Sequence, residues 1–168
     1  MTGNTPVFSF EFFPPKTAEG KEKLRSTQAK LALLKPRFFS VTFGAGGSTR
    51  DYTFETVTGI KQATGIETAP HISCISSTRE NIGEMLENYR SNDIKHIVAL
   101  RGDMPSGMVE AGEFRYANEL VEYIREVTGD HFHIEVAAYP ESHPQASSPD
   151  RDLATFKRTV VAGANCAI

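Results

Sequence analysis

A chain of 168 residues that is 39% hydrophobic and 23% charged has ordinary globular composition and enough length for one core. Its 18 basic and 21 acidic residues leave a net charge of −3, with no basic stripe or aromatic-interleaved Lys/Arg cluster, which argues against nucleic acid and membrane as partners. Cys74 and Cys166 form no C-x-x-C, no charged-then-apolar leader opens the chain and no apolar run approaches about 20 residues, so reduced, buried thiols and a cytoplasmic location are expected, without a disulfide framework, secretion or a membrane span.

The first predicted strand, residues 7 to 13, lies in the run Phe8-Ser9-Phe10-Glu11-Phe12-Phe13-Pro14-Pro15. Period-2 alternation puts Phe8, Phe10 and Phe12 on a packing face and Ser9 and Glu11 on the other. The two prolines then end the strand just past Glu11, because neither can donate to a ladder. Burying an unpaired ionised carboxylate in so apolar a run costs several kcal/mol or more. Such a group raises its pKa, finds a partner or lines a cavity, and a raised pKa suits a general acid near neutral pH. A solvent-facing glutamate at a strand edge is the plainer alternative.

Thr17 opens a helix that Lys35-Pro36 closes. A strand over residues 37 to 43 leads into Gly44-Ala45-Gly46-Gly47-Ser48-Thr49, a turn in which Ser48 or Thr49 would cap the next helix. The third strand, 67 to 74, carries His71 after Pro70, and Ser77 with Glu80 reads as a capping box ahead of Ile82, Met85, Leu86 and Tyr89. The fourth, 95 to 101, ends in Arg101-Gly102-Asp103. Its helix sets Ala117, Leu120, Val121 and Ile124 on one stripe and stops before Gly129. His131-Phe132-His133 starts a fifth strand, 133 to 139, which ends in Tyr139-Pro140-Glu141 with His143. Ser148-Pro149 then opens a helix with proline at its first position, and Ala164 to Ile168 reads as the start of a sixth strand.

Repeats of roughly 30 residues with short turns imply parallel strands and right-handed crossovers, hence a doubly wound sheet or a (βα)8 barrel. A doubly wound sheet gathers function at one switch point, whereas a barrel draws it from many strand ends. Here Glu11, Thr42, His71, Arg101 with Asp103, and Tyr139 with His143 decorate all five strand ends. The expected fold is therefore α/β, a (βα)8 TIM barrel of which this chain supplies about the first five βα units and the start of the sixth strand. Residues 1–168 are expected to be the N-terminal portion of a single catalytic domain of about 250 or more residues, the usual barrel size.

The glycine-rich turn fails as a dinucleotide fingerprint, because Thr49 stands where the third glycine belongs and His71-Ile72-Ser73-Cys74 closes the next strand without an acidic residue. No metal site is expected, since His71, His131, His133 and His143 lack a helical i, i+4 pair with an acidic third ligand. Glu11 and Asp103 form a candidate pair of carboxylates with divided roles, one protonated and one ionised. Such a pair alone would also fit a glycosidase, but a carboxylate hydrolase does not account for His71, Arg101 and Tyr139 together.

The blocks F-S-F-E-F-F-P-P, S-V-T-F-G-A-G-G-S-T-R-D, A-P-H-I-S-C, H-I-V-A-L-R-G-D, A-A-Y-P-E-S-H-P-Q-A and V-A-G-A-N, in this order across nearly the whole chain, closely resemble the methylenetetrahydrofolate reductase family. The resemblance implies a flavoprotein that binds FAD non-covalently and is reduced by NADH or NADPH. It would convert 5,10-methylenetetrahydrofolate, its small-molecule substrate, to 5-methyltetrahydrofolate, in one-carbon metabolism and methionine supply. A homo-oligomer is expected.

Residue by residue, the resemblance makes Glu11 the general acid at folate N10 and Asp103 the carboxylate between flavin and pterin, in contact with substrate and cofactor. Thr42 matches a position at the nicotinamide and flavin face. Phe43, Ala45, His71, Arg101, Gly102 and Tyr116 match FAD-contacting positions. So do Ala117, Tyr139, His143, Ala146, Asp152, Thr155 and Arg158. Two departures stand out: the segment from Met104 to Gly112 is slightly long, and Thr159 replaces a lysine common after Arg158, with Arg158 and Lys157 left to compensate. The non-catalytic alternative is a truncated half-barrel that acts as a binding or assembly partner.

Overall fold

The computed structural model describes residues 7–43, 47–102, 112–144 and 146–168, the side chains of 47–49 apart. Asp103, Ala45 and nearly all of the segment from Met104 to Gly112 therefore lie outside the described residues. The chain divides into two compact units, residues 1–71 and 72–168.

The first unit runs β1 (Phe10–Phe12), α1 (Ala18–Ala32), β2 (Phe39–Val41), α2 (Gly47–Thr64) and into β3 (Thr68–Ser73). β1 pairs with β2 and β2 with β3, both parallel. The Phe10 and Phe12 rings pack on buried Phe39 at centroid separations of 6.3 and 5.3 Å, while Glu11 is registered with Ser40 and Ser40 with Ala69. The alternation read from sequence thus holds. β1 is shorter than the expected run, and α1 ends at Ala32, before Lys35-Pro36. Thr17 caps α1 as expected, its Oγ1 accepting from the Gly20 N–H at 3.0 Å. Helix α2 already begins at Gly47, so Ser48 and Thr49 lie inside it and neither is the cap expected from the sequence.

The second unit continues through α3 (Arg79–Ser91), β4 (His96–Leu100), α4 (Ala117–Thr128), β5 (His133–Val136), α5 (Pro149–Val161) and β6 (Cys166–Ala167). β4 pairs parallel with β5 and β5 with β6. The end of β3 reaches β4 through the Cys74 N–H bonding Leu100 O and the Ile75 N–H bonding Arg101 O. Consecutive strands are neighbours within each unit, without the order reversal of a doubly wound sheet.

Helix faces follow the apolar stripes: Ile82, Leu86 and Tyr89 of α3 are buried, as are Leu120, Val121 and Ile124 of α4. Between sheet and helices lie Ile72, Ile97, Ala99, Ile134 and Val136, all nearly inaccessible to solvent. Ser77 is not the cap of α3; Thr78 is, accepting from the Asn81 N–H at 3.2 Å, while Ser77 is buried with its hydroxyl toward Ser73 O. Ser148 caps α5 as expected, accepting from the Arg151 N–H at 3.3 Å. Arg125 ties the unit together: its guanidinium donates to the carbonyls of Gly129, Phe132 and Gly163 and to Asn165 Oδ1.

Cys74 is buried, and burial pushes its thiol up to about 12, which leaves it unreactive at neutral pH. Cys166, expected buried, is exposed on β6. Among the described residues, no helix is long and apolar enough to cross a membrane.

Candidate functional site

In the first unit, strand pairing brings together two of the residues singled out in the sequence. Glu11 on β1 and His71 on β3 share the face that also carries Ser40 and Ala69, and His71 Nε2 lies 3.4 Å from Glu11 Oε2. Of the two readings left open for Glu11, the exposed one fits its side chain better: it is 49% exposed, against 9% for His71. Alternation turns Glu11 away from the phenylalanines that made its surroundings look apolar in the sequence. Burial lowers the His71 pKa from 6.5 to about 4. The imidazole is therefore neutral at pH 7, and its contact with Glu11 is not an ion pair. The contact also misses hydrogen-bond geometry, so Nε2 is a buried polar atom without a hydrogen-bond partner.

Thr42, just past β2, is fixed through its backbone: its N–H donates to Phe12 O at 2.9 Å and its carbonyl accepts from Thr53 Oγ1 at 3.1 Å. Thr42 and its neighbour Phe43 are half-buried.

Because the folded chain refuses a proton at His71 that the unfolded chain takes up, stability from this group is complete above about pH 6.5 and is lost as pH falls toward about 4. We expect up to about 3 kcal/mol to disappear across that window. Denaturant unfolding of His71→Asn should show a flattened acid limb relative to the parent chain; an unaltered limb would count against a buried neutral His71.

The second unit holds an open cleft of about 1740 Å³ where β4 and β5 end and α4 begins, and it runs along the length of α5. Arg101, Gly102, Tyr116, Ala117 and Tyr139 line it, with His143, Ala146, Asp152, Thr155 and Arg158. The sequence reading had singled out all ten. Local bonds hold them in place: Asp152 Oδ2 accepts from the His143 N–H at 2.8 Å, the Tyr139 and His143 rings meet edge to face at 4.7 Å, and Arg158 donates to Thr155 Oγ1 at 3.1 Å. Glu119 reaches back from the first turn of α4 to accept from the Arg115 N–H at 2.6 Å and so fixes the entry to Tyr116.

Gly102 adopts φ +84°, and a Cβ there would run into Ser73 Oγ, which itself donates to Arg101 O at 3.0 Å. Only glycine fits so close an approach without strain.

The cleft also includes Asn118, Arg151 and Phe156, which the sequence reading missed. No periodic signal singles out Arg151 or Phe156, because residues 149 to 159 of α5 all line the cleft.

The cleft is large and carries both signs of charge, with Glu122, Glu141, Asp150 and Asp152 in its lining as well as cations. Arg101, Arg151, Lys157 and Arg158 lie along its wall, beside the Tyr139 and Phe156 rings and the alanine backbone at 137 and 138. The guanidinium groups can pair with anionic groups of a ligand and the rings can stack on flat ones, and the volume exceeds what most small-molecule sites offer.

A protein-family model described as methylenetetrahydrofolate reductase matches residues 2–168. The chain belongs to the methylenetetrahydrofolate reductase family.

Within that family, the chain is similar to the 5,10-methylenetetrahydrofolate reductase of Salmonella typhimurium, 49% identical over 160 residues that cover 95% of this chain and 53% of the relative. The Escherichia coli protein of the same name is 48% identical over the same span. The Arabidopsis thaliana protein named methylenetetrahydrofolate reductase (NADH) 1 is 43% identical over 95% of this chain and 29% of its own length. The chain thus spans about half the length of the bacterial relatives it matches.

Among solved structures it resembles "QR15, an Aldolase" (TM-score 0.66, 12% identity, 99% of this chain and 69% of that one). It also resembles a phosphoenolpyruvate phosphomutase from Streptomyces platensis subsp. rosaceus (TM-score 0.64, 11% identity, 98% and 59%). At such identities the likeness concerns fold alone. The family member described here is α/β, a partial (βα)8 barrel.

Proposed function

We propose that the protein carrying this chain is an FAD-dependent methylenetetrahydrofolate reductase that uses NADH or NADPH to convert 5,10-methylenetetrahydrofolate to 5-methyltetrahydrofolate, in the cytoplasm and in support of methionine supply. The observation that carries this reading is the single cleft lined by ten of the residues that match the family's FAD-contacting positions, in a chain with the family's pattern from residue 2 to residue 168.

In this reading Arg101 and Arg158 neutralise the diphosphate of FAD, with Lys157 compensating for the threonine at 159, and Gly102 lets the ligand approach the backbone at the end of β4. Tyr139 with His143, and the start of α4 at Tyr116 and Ala117, bound the remainder. When bound, FAD would supply hydride-transfer chemistry, with a nicotinamide as reductant.

The chain's own chemistry is acid catalysis and charge placement. Glu11 assists protonation of folate N10, so that the five-membered ring opens to an iminium cation. Asp103 carries the negative charge that favours this cation, and Thr42 faces the nicotinamide. Neutral His71, with its unpaired nitrogen beside Glu11, keeps a second positive charge away from the acid.

The reading is tested by colour. The purified protein should be yellow, should bleach anaerobically on addition of NADH or NADPH, and should regain colour on addition of 5,10-methylenetetrahydrofolate. A colourless protein that retains no flavin after incubation with FAD would overturn it.

A further inference from the structure

The buried polar group that the proposed chemistry leaves without a task is Glu135. It lies in β5 at 1% exposure, where a carboxylate must be matched by partners. Two histidines meet it. His96 opens β4 and His133 opens β5, and the two are registered opposite each other, with Val98 opposite Glu135. Both side chains share the Glu135 face. His96 Nε2 lies 3.0 Å from Glu135 Oε1, and His133 Nε2 lies 3.3 Å from the same oxygen. The second contact misses hydrogen-bond geometry, so His133 Nε2 has no hydrogen-bond partner, and neither does Glu135 Oε2. Both are buried polar atoms whose hydrogen-bonding capacity is unused.

Donor atoms from the three residues all lie within 4.8 Å of one another. Two imidazole nitrogens and one carboxylate oxygen form a borderline donor set suited to zinc-like cations. Metal–ligand distances of about 2.0–2.2 Å in a tetrahedron place neighbouring donors about 3.3–3.6 Å apart, near the 3.0 and 3.3 Å that separate Glu135 Oε1 from the two imidazole nitrogens. We propose that His96, His133 and Glu135 bind a divalent transition-metal cation of the zinc class.

The site stands apart from the cleft and does not rest on the proposed reductase activity. His96 and Arg101 are five residues apart along β4, about 16 Å at a strand's rise of about 3.3 Å per residue, so the cation sits at the amino-terminal end of strands whose other ends line the cleft. Its role is to pin β4 to β5. Helical spacing could not reveal it, because the first and last ligands are 39 residues apart and meet only across paired strands.

The test uses the full chain after chelator treatment. Titration with Co2+ should give one equivalent of visible d–d absorption, and Zn2+ at about 100-fold above its Kd should raise Tm by roughly 5–10 °C. Glu135→Gln and His133→Asn should lose both signals, and His131→Gln should keep them. Absence of stoichiometric binding, or an undiminished Co2+ band in Glu135→Gln, would overturn the site. If those variants do not fold, imidazole 15N spectra of the parent chain decide: Zn2+ must shift His96 and His133, and shifts confined to His71, His131 or His143 overturn it.

Discussion

Glu11→Gln is expected to lower folate reduction by about 10²–10⁴-fold while leaving reduction of the flavin by NADH or NADPH within a few-fold of the parent enzyme. The two half-reactions separate because only one of them needs a proton at folate N10; hydride transfer from a nicotinamide to the flavin needs none from Glu11. The substitution is also structurally mild. Glutamine preserves shape, the side chain is 49% exposed, and its partner His71 is neutral, so no buried charge is orphaned. Anaerobic stopped-flow measurement of each half-reaction gives the answer. Survival of both would remove Glu11 from the role of acid, and loss of both would point to a misassembled site.

Gly102→Val should lower stability by about 3 kcal/mol and reduce flavin retention in parallel. The φ of +84° makes a branched side chain costly on backbone grounds alone, by about 1–2 kcal/mol. The new Cβ would also collide with Ser73 Oγ and approach Ile75 Cγ2 at 3.0 Å. Ser73 cannot swing aside freely because its hydroxyl holds the Arg101 carbonyl, so the collision passes to a cleft-lining residue. Gly65→Ala is the control: φ is +68° but nothing lies within 4 Å of its Cβ, and only about 1 kcal/mol is expected. Thermal denaturation of the pair separates collision from backbone strain, and equal losses would show that contact with Ser73 does not matter.

The sequence was most legible where one physical rule acts alone. Thr17 and Ser148 were identifiable as caps because a short oxygen-bearing side chain before a periodic stretch has little else to satisfy. The α4 stripe and the Phe10/Phe12 face followed from period alone. Legibility failed where neighbours in space compete. Ser77 looked like a cap, but its hydroxyl is taken by β3 and Thr78 does the capping instead. For Glu11 the aromatic neighbours left burial and exposure both open, and only the fold decides, since alternation sends those rings to the other side of β1.

The cleft residues were recognised by family pattern, and no periodicity would have collected Arg101, Tyr139 and Thr155 into one wall. The Glu135 cluster escaped both kinds of reading, since it depends on a cross-strand register that no local spacing encodes.

Arg125 carries a consequence for the order in which the molecule comes into being. Its acceptors lie 4, 7, 38 and 40 residues further along the chain, so on the ribosome the guanidinium is made before everything it holds. As α4 emerges, only the carbonyls of Gly129 and Phe132 soon become available, and the remaining donors wait in water. The bonds to Gly163 and Asn165 can close only after the segment leading into β6 has been made, so the tie between α4 and the start of β5 can precede the fastening of its far edge.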